Sequence, residues 1–161
     1  MQKVDNKDIL DHISNWIQYV IETKTSNNWP ICPYARKALV RQRLQVYYYD
    51  STKTEAITES FRNDPEDFKV WVLIVNTGNF IQETSILNQK YNDIVWLYDT
   101  ADMSGNIDGV NTGNKKYNLI LMQNRKELND MSGNLKQLGY YSNWATEYYD
   151  QIVSWRNNDQ N

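Results

Sequence analysis

The chain has 161 residues, 40% of them hydrophobic and 23% charged, with a formal net charge of -3, which suits one globular domain with a core of its own. One cysteine excludes an internal disulfide, and one cysteine with one histidine excludes three-histidine zinc sites, HExxH sites and two-histidine iron triads within a protomer. The net negative charge does not favour contact with the phosphate backbone of a nucleic acid, so nucleic-acid binding is not expected.

The first predicted element is an amphipathic helix over residues 6–23, with Asn6 as its N-cap. Apolar residues fall on one stripe at helical spacing, namely Leu10, Ile13, Trp16, Ile17, Val20 and Ile21. The segment TSNNWP breaks this helix. Pro33 fits the first position of a second, short helix, which predicts Cys32 at or near its N-cap and a C-terminus near Arg43.

The remaining elements follow from the same periodicities. In chain order they are a strand at 45–50, a helix at 52–62, a strand at 70–75, a helix within 76–91, a strand at 93–99, a loop at 100–116, a strand at 117–122, and helices at 125–138 and 142–155. Thr52 and Glu55 have the spacing of a capping box. The unbroken apolar run at 70–75 predicts a strand covered on both faces and central in the sheet.

Strands separated by helices favour parallel crossovers, whereas the last two strands favour a hairpin. The sequence therefore predicts a single α/β domain over 1–161, bordering on α+β. Its core is a four-stranded mixed sheet with helices packed on it. The tail, 157–161, is expected to fray.

Cys32 is the first candidate for chemistry. A thiol at a helix N-terminus, close to Arg36 and Lys37, would have a lowered pKa and could act as a nucleophile. The simpler interpretation is a small buried hydrophobe that follows packing residues, and this interpretation is favoured. A pairing of His12 with Cys32 as base and nucleophile is the weaker alternative.

Several segments resemble an uncharacterised bacterial family, a domain of unknown function marked by Leu-Cys-Pro-Phe-Ala-Lys after an N-terminal helix. They are NWIQYVIE, ICPYARKA, QVYYYD, TEAITES, VWVLIV, YDTAD and NTGN, and they span most of the chain. That family usually continues with Asn-Arg-Ser-Pro and a strand bearing a histidine, whereas this chain has TGNKKYNLIL. The resemblance therefore implies a fold more than an activity.

The loop at 100–116 is the second candidate, because a long loop inside a compact domain is usually functional or mobile. Asp99 and Asp102 could manage protons or, with Asn111 and Asn114, offer oxygen ligands to a cation. The EF-hand spacing fails, and Asp, Asn and Gly also serve simply to turn the chain. No metal or cofactor is predicted. Arg36 and Lys37 could bind an anionic ligand, although a solvated helix face is the simpler interpretation.

Aromatic residues near the C-terminus are the third candidate, since Tyr and Trp often anchor interfaces. A protein partner or a second copy of the chain would be sought there, although core packing is the favoured interpretation. The residues concerned are Tyr140, Tyr141, Trp144, Tyr148 and Trp155.

The sequence as a whole favours a binding or regulatory protein that acts through these aromatics and the 100–116 loop. The alternative is a small-molecule enzyme with Cys32 as nucleophile and Asp99 or Asp102 as acid and base. No apolar signal segment and no long apolar span occurs, so a cytoplasmic location without membrane contact is expected. Six Gly and three Pro among many Asn, Lys, Ile and Tyr suit an AT-rich genome, such as that of many phages, whose proteins act in the host cytoplasm.

Overall fold

The computed structural model describes residues 2–76, 80–102 and 105–158. The helices are α1 (Lys7–Glu22), α2 (Pro33–Val40), α3 (Thr54–Asn63), α4 (Phe80–Lys90), α5 (Arg125–Gln137), α6 (Thr146–Tyr149) and α7 (Trp155–Asn158). The strands are β1 (Leu44–Tyr48), β2 (Val70–Ile74), β3 (Ile94–Asp99), β4 (Asn106–Ile107), β5 (Val110–Asn111) and β6 (Leu119–Asn124). Among the helices described, none is long and apolar enough to cross a bilayer.

The main sheet has four strands in the order β1-β2-β6-β3, and β4 and β5 form a separate small hairpin. β1 and β2 are parallel, whereas β6 runs antiparallel to both of its neighbours. The predicted four-stranded mixed α/β sheet and the central position of β2 are therefore confirmed. β6 enters between β2 and β3, so these two strands point the same way without being neighbours.

Each face of the sheet carries its own core, because successive side chains of a strand point to opposite faces. Val72, Val95 and Leu119 face a cluster that includes α1 and α2. Leu73 and Trp96 face a second cluster that includes α3 and α4. The larger first cluster also receives the 105–117 segment and the C-terminal region, and this arrangement positions the site.

Local signals set most helix ends. The side chain of Asn6 accepts hydrogen bonds from the backbone N–H groups of Asp8 and Ile9, as an N-cap does. α2 ends at Val40, short of the predicted Arg43, and Gln42 beyond it has a left-handed φ of 56°. The capping box at Thr52 is wrong, because Asp50 caps a short 3₁₀ turn there and α3 begins later, at Thr54.

The C-terminal region differs from the single helix predicted over 142–155. A 3₁₀ turn over Tyr140–Asn143 precedes α6, and a π-helical turn over Asp150–Ser154 separates α6 from α7. Such single π turns occur within helices, and Val153 is the buried residue of this one. Of the tail expected to fray, 157 and 158 end α7, and 159–161 lie outside the described residues.

Candidate functional site

A cavity of about 200 Å³, partly open to solvent, lies between the sheet, α1, α2, the β4–β5 hairpin and the C-terminal region. Its floor follows the sheet, where Leu121 and Gln123 of β6 are flanked by Val70 of β2 and Leu97 of β3. Most of the remaining wall is apolar or aromatic, including Trp16, Ile31, Ile107 and Ile152. A pocket with this composition can hold a small, largely apolar molecule.

Cys32 lines one wall of this cavity together with Ala35 and Ala38 of α2. Pro33 begins that helix, and the backbone N–H of Cys32 donates to the carbonyl of Val20 at 3.1 Å, which joins α2 to α1. The residue is half-buried, and burial raises the pKa of its thiol. The backbone amides of Tyr34 and Ala35 favour the thiolate but do not outweigh burial. The helix N-terminus therefore does not activate this thiol.

Asp99 lines the same cavity from the end of β3 and is 8% exposed. Its Oδ2 accepts hydrogen bonds from the backbone N–H of Asn114, at 2.9 Å, and from the Asn114 side chain. Burial raises the pKa of the Asp99 carboxyl, and the two bonds from Asn114 act in the opposite direction. The structure thus brings Cys32 and Asp99 to one cavity.

The segment 105–117 is hydrogen-bonded to α1 and to the end of β3. Asp108 and Gly109, both with positive φ, turn the chain between β4 and β5, as a tight hairpin requires. Two side chains of α1 hold the residues after this hairpin: Trp16 Nε1 donates to the carbonyl of Thr112 at 3.0 Å, and His12 Nε2 lies 2.9 Å from that of Asn114. This segment forms a wall of the cavity. The His12 ring contacts Asn114 and is not part of the cavity lining.

The C-terminal aromatics pack inward. Tyr140 is buried, and its hydroxyl donates to the carbonyl of Ile31; Tyr141, Trp144, Tyr148 and Trp155 are half-buried. Edge-to-face contacts join the rings of Tyr140, Tyr141 and Trp144, with centroids 4.8 to 5.8 Å apart. Trp144 and Tyr148 line the cavity. This arrangement supports the core-packing interpretation over a free partner surface.

Eight predicted site residues lie outside the cavity lining, namely Arg36, Lys37, Asp102, Asn111, Asn114, Tyr140, Tyr141 and Trp155. Asp102 is exposed and accepts from the Thr100 hydroxyl at 2.8 Å. Arg36 is exposed, and the Lys37 ammonium lies 3.5 Å from the centre of the Phe68 ring. The side chain of Asn111 accepts from a neighbouring backbone N–H. Within 2–76, 80–102 and 105–158, no group of three or more His, Cys, Asp or Glu residues is placed to hold a metal.

Gln123 is the functional candidate that sequence reasoning missed. It is 7% exposed, lines the cavity, and its Oε1 has no hydrogen-bond partner among the described residues. The predicted strand stopped at residue 122. Side chains alternate between the two faces of a strand, so a strand that continues by one residue places Gln123 on the same face as Leu119 and Leu121. Gln123 is thus a polar residue at a position where the pattern predicts an apolar one. Trp144 Nε1, also in the lining, is likewise unpartnered in the described part of the chain.

Comparisons of the chain with protein-family models, curated proteins and solved structures find no match. The resemblance to a family of unknown function stays a prediction, and the function is inferred from the cavity.

Proposed function

We propose that this protein is a small-molecule-binding protein that holds a small, largely apolar ligand in the cavity. The supporting observation is Gln123, whose buried side chain has an unpartnered Oε1 in an apolar lining. A buried polar group without a partner costs about 1–3 kcal/mol. A ligand that donates to Gln123 removes this cost, so the bound state is favoured over the empty one.

The volume limits the ligand. A cavity of about 150 Å³ lined by apolar side chains holds benzene, so about 200 Å³ admits roughly ten non-hydrogen atoms. This is one substituted ring, smaller than the drug-sized ligands that occupy pockets of about 300–1,000 Å³. The Leu97 and Leu121 side chains would contact the apolar body of such a ligand.

The enzyme alternative has one observation in its favour, the shared cavity of Cys32 and Asp99. A nucleophilic thiol needs a lowered pKa or an adjacent base, whereas burial raises the pKa of Cys32. The His12 ring contacts Asn114. Asp102 lies outside the cavity lining. Binding without chemistry is therefore the better-supported function.

Indole is a suitable probe for the test, since it has about the right size and one N–H donor. Titrated into ¹⁵N-labelled protein, it should shift the amide signals of Leu97, Leu121 and Gln123. The Ala38→Leu variant, which fills the wall of the cavity, should lose the effect. Ala56→Leu, on the exposed side of α3, is the matched control and should keep it.

Two results would overturn the proposal. One is a wild-type spectrum in which no β3 or β6 signal moves on addition of indole. The other is equal indole affinity in the wild type and in folded Ala38→Leu protein.

A further inference from the structure

We infer that the ligand is a small organic amine, with its ammonium group at Asp99 and a hydrogen-bond donor at its far end facing Gln123. This inference rests on the proposed function and names the ligand class for the same cavity. It follows from the charge of the lining, its aromatic content and the spacing of two polar residues on the sheet.

The charge of the lining favours a cation. Among the described residues that line the cavity, Asp99 is the acid, and none is Lys, Arg or His. Burial of a carboxylate costs free energy unless a positive charge is paired with it. The two bonds from Asn114 converge on Oδ2, and an ammonium group approaching Oδ1 would supply the missing positive charge. An anionic ligand would instead meet a like charge.

Aromatic side chains line the cavity that Asp99 enters, among them Trp16, Trp144 and Tyr148. Trp16 also donates from Nε1 to the carbonyl of Thr112, two residues before Asn114. Tyrosine and tryptophan rings attract cations through their π faces. These rings are also apolar enough to cover the methylene groups next to the ammonium.

The far end is polar but uncharged. In the β3–β6 ladder, Asp99 pairs with Leu119 and Val95 pairs with Gln123, so the two polar residues are four positions apart along the strands, about 13 Å at 3.3 Å per residue. The Leu97–Leu121 pair lies between them. The cavity therefore suits an elongated ligand with an apolar middle, and the unpartnered Gln123 Oε1 accepts from a hydroxyl or N–H group.

A hydroxyphenyl-alkylamine has these three features, and four related compounds separate them. Tyramine has both polar ends, 2-(4-hydroxyphenyl)ethanol lacks the charge, 2-phenylethylamine lacks the hydroxyl, and 3-(4-hydroxyphenyl)propanoate reverses the charge. By calorimetric titration, tyramine should bind about tenfold or more tightly than each of the others, the usual worth of one charge-assisted or buried hydrogen bond.

Variants assign the two ends. Asp99→Asn should abolish the higher affinity for tyramine relative to 2-(4-hydroxyphenyl)ethanol. Gln123→Leu should abolish the higher affinity for tyramine relative to 2-phenylethylamine. Asp102→Asn, an exposed acid outside the lining, is the control for lost charge and should change neither. The wild-type series decides the inference even if a variant fails to fold.

The outcomes separate the inference from the proposed function. If the neutral alcohol or the propanoate binds as tightly as tyramine while indole still shifts the cavity signals, the amine inference is overturned and the binding function stands. If none of the four compounds and no indole binds, both are overturned.

Discussion

Asp99 and Asn114 are joined by two hydrogen bonds that converge on one carboxylate oxygen, and they connect the end of β3 to the segment that covers the cavity. Asn114 also accepts from the backbone N–H groups of Lys116 and Tyr117 at 3.0 and 2.7 Å. These bonds join the chain after the β4–β5 hairpin to the end of β3. The described segment 105–117 forms a wall of the cavity.

The pH dependence of stability should reveal the burial of Asp99. Its folded-state pKa is raised above the unfolded value, so its contribution to stability is full below the unfolded pKa and is lost as pH rises through the folded pKa. At neutral pH, which is above the unfolded pKa, burial of this carboxyl therefore destabilises the fold. Asp99→Asn keeps an acceptor for Asn114 and should be the more stable protein there.

The comparison is made by urea denaturation between about pH 7 and pH 4, the range above the usual aspartate pKa. The free-energy advantage of Asp99→Asn should shrink as pH falls. A constant difference across this range, or a wild type that is more stable at pH 7, would contradict the prediction. Circular dichroism at each pH checks that both proteins are folded.

The exposed edge of β3 depends on Asn88 of α4. Its Oδ1 accepts from the Trp96 N–H and its Nδ2 donates to the Trp96 carbonyl, both at 2.8 Å. Asn88→Leu removes both bonds and leaves two backbone groups of an edge strand unpaired, so the free energy of unfolding should fall by about 2 kcal/mol. Gln89→Leu, exposed on the same helix, should change it by less than about 0.5 kcal/mol. Urea unfolding gives both values, and equal losses would refute the role of Asn88.

The thiol of Cys32 should react slowly in the folded protein. Burial raises its pKa, so the thiolate fraction at pH 7 is below that of a free thiol, and access is also limited. Alkylation by iodoacetamide, followed by mass spectrometry, should be at least about tenfold slower than for a cysteine-containing peptide. Addition of urea should restore the peptide rate. Fast alkylation of folded protein would favour the nucleophilic enzyme instead.

Gly105 should tolerate no side chain. A Cβ there would lie 2.4 Å from the Thr112 Oγ1 and 3.6 Å from the Tyr148 hydroxyl, so Gly105→Ala must displace the cavity wall, at a cost of about 1–3 kcal/mol. Gly133 in α5 is the matched control, because a Cβ there meets nothing described within 4 Å. Gly133→Ala should stabilise the protein by about 0.5–1 kcal/mol, since alanine is the better helix former. Thermal melts should show a lower midpoint for Gly105→Ala and a higher midpoint for Gly133→Ala than for the wild type.

The candidate site was predictable in part. The sequence marks Cys32 by its proline-started helix and Asp99 by its place at the end of a buried strand, and the structure brings these two together. Arg36 and Lys37 lie outside the lining, because α2 turns its alanines, not its basic residues, toward the sheet. Gln123 went unnoticed because its strand extends beyond the apolar run that predicted it.

Local patterns determine the four strands of the main sheet, most helices and the central position of β2, because burial on one or both faces leaves a period in the sequence. The short strands β4 and β5 lie within the predicted 100–116 loop and were not predicted. The insertion of β6 between β2 and β3, the π turn and the cavity depend on contacts far apart in the chain. Trp16 meets Thr112 and Tyr140 meets Ile31, pairs separated by about a hundred residues. No local period encodes which distant segments meet, so only the tertiary structure decides that Cys32 at a helix N-terminus, Asp99 at a strand end and Tyr148 line one cavity.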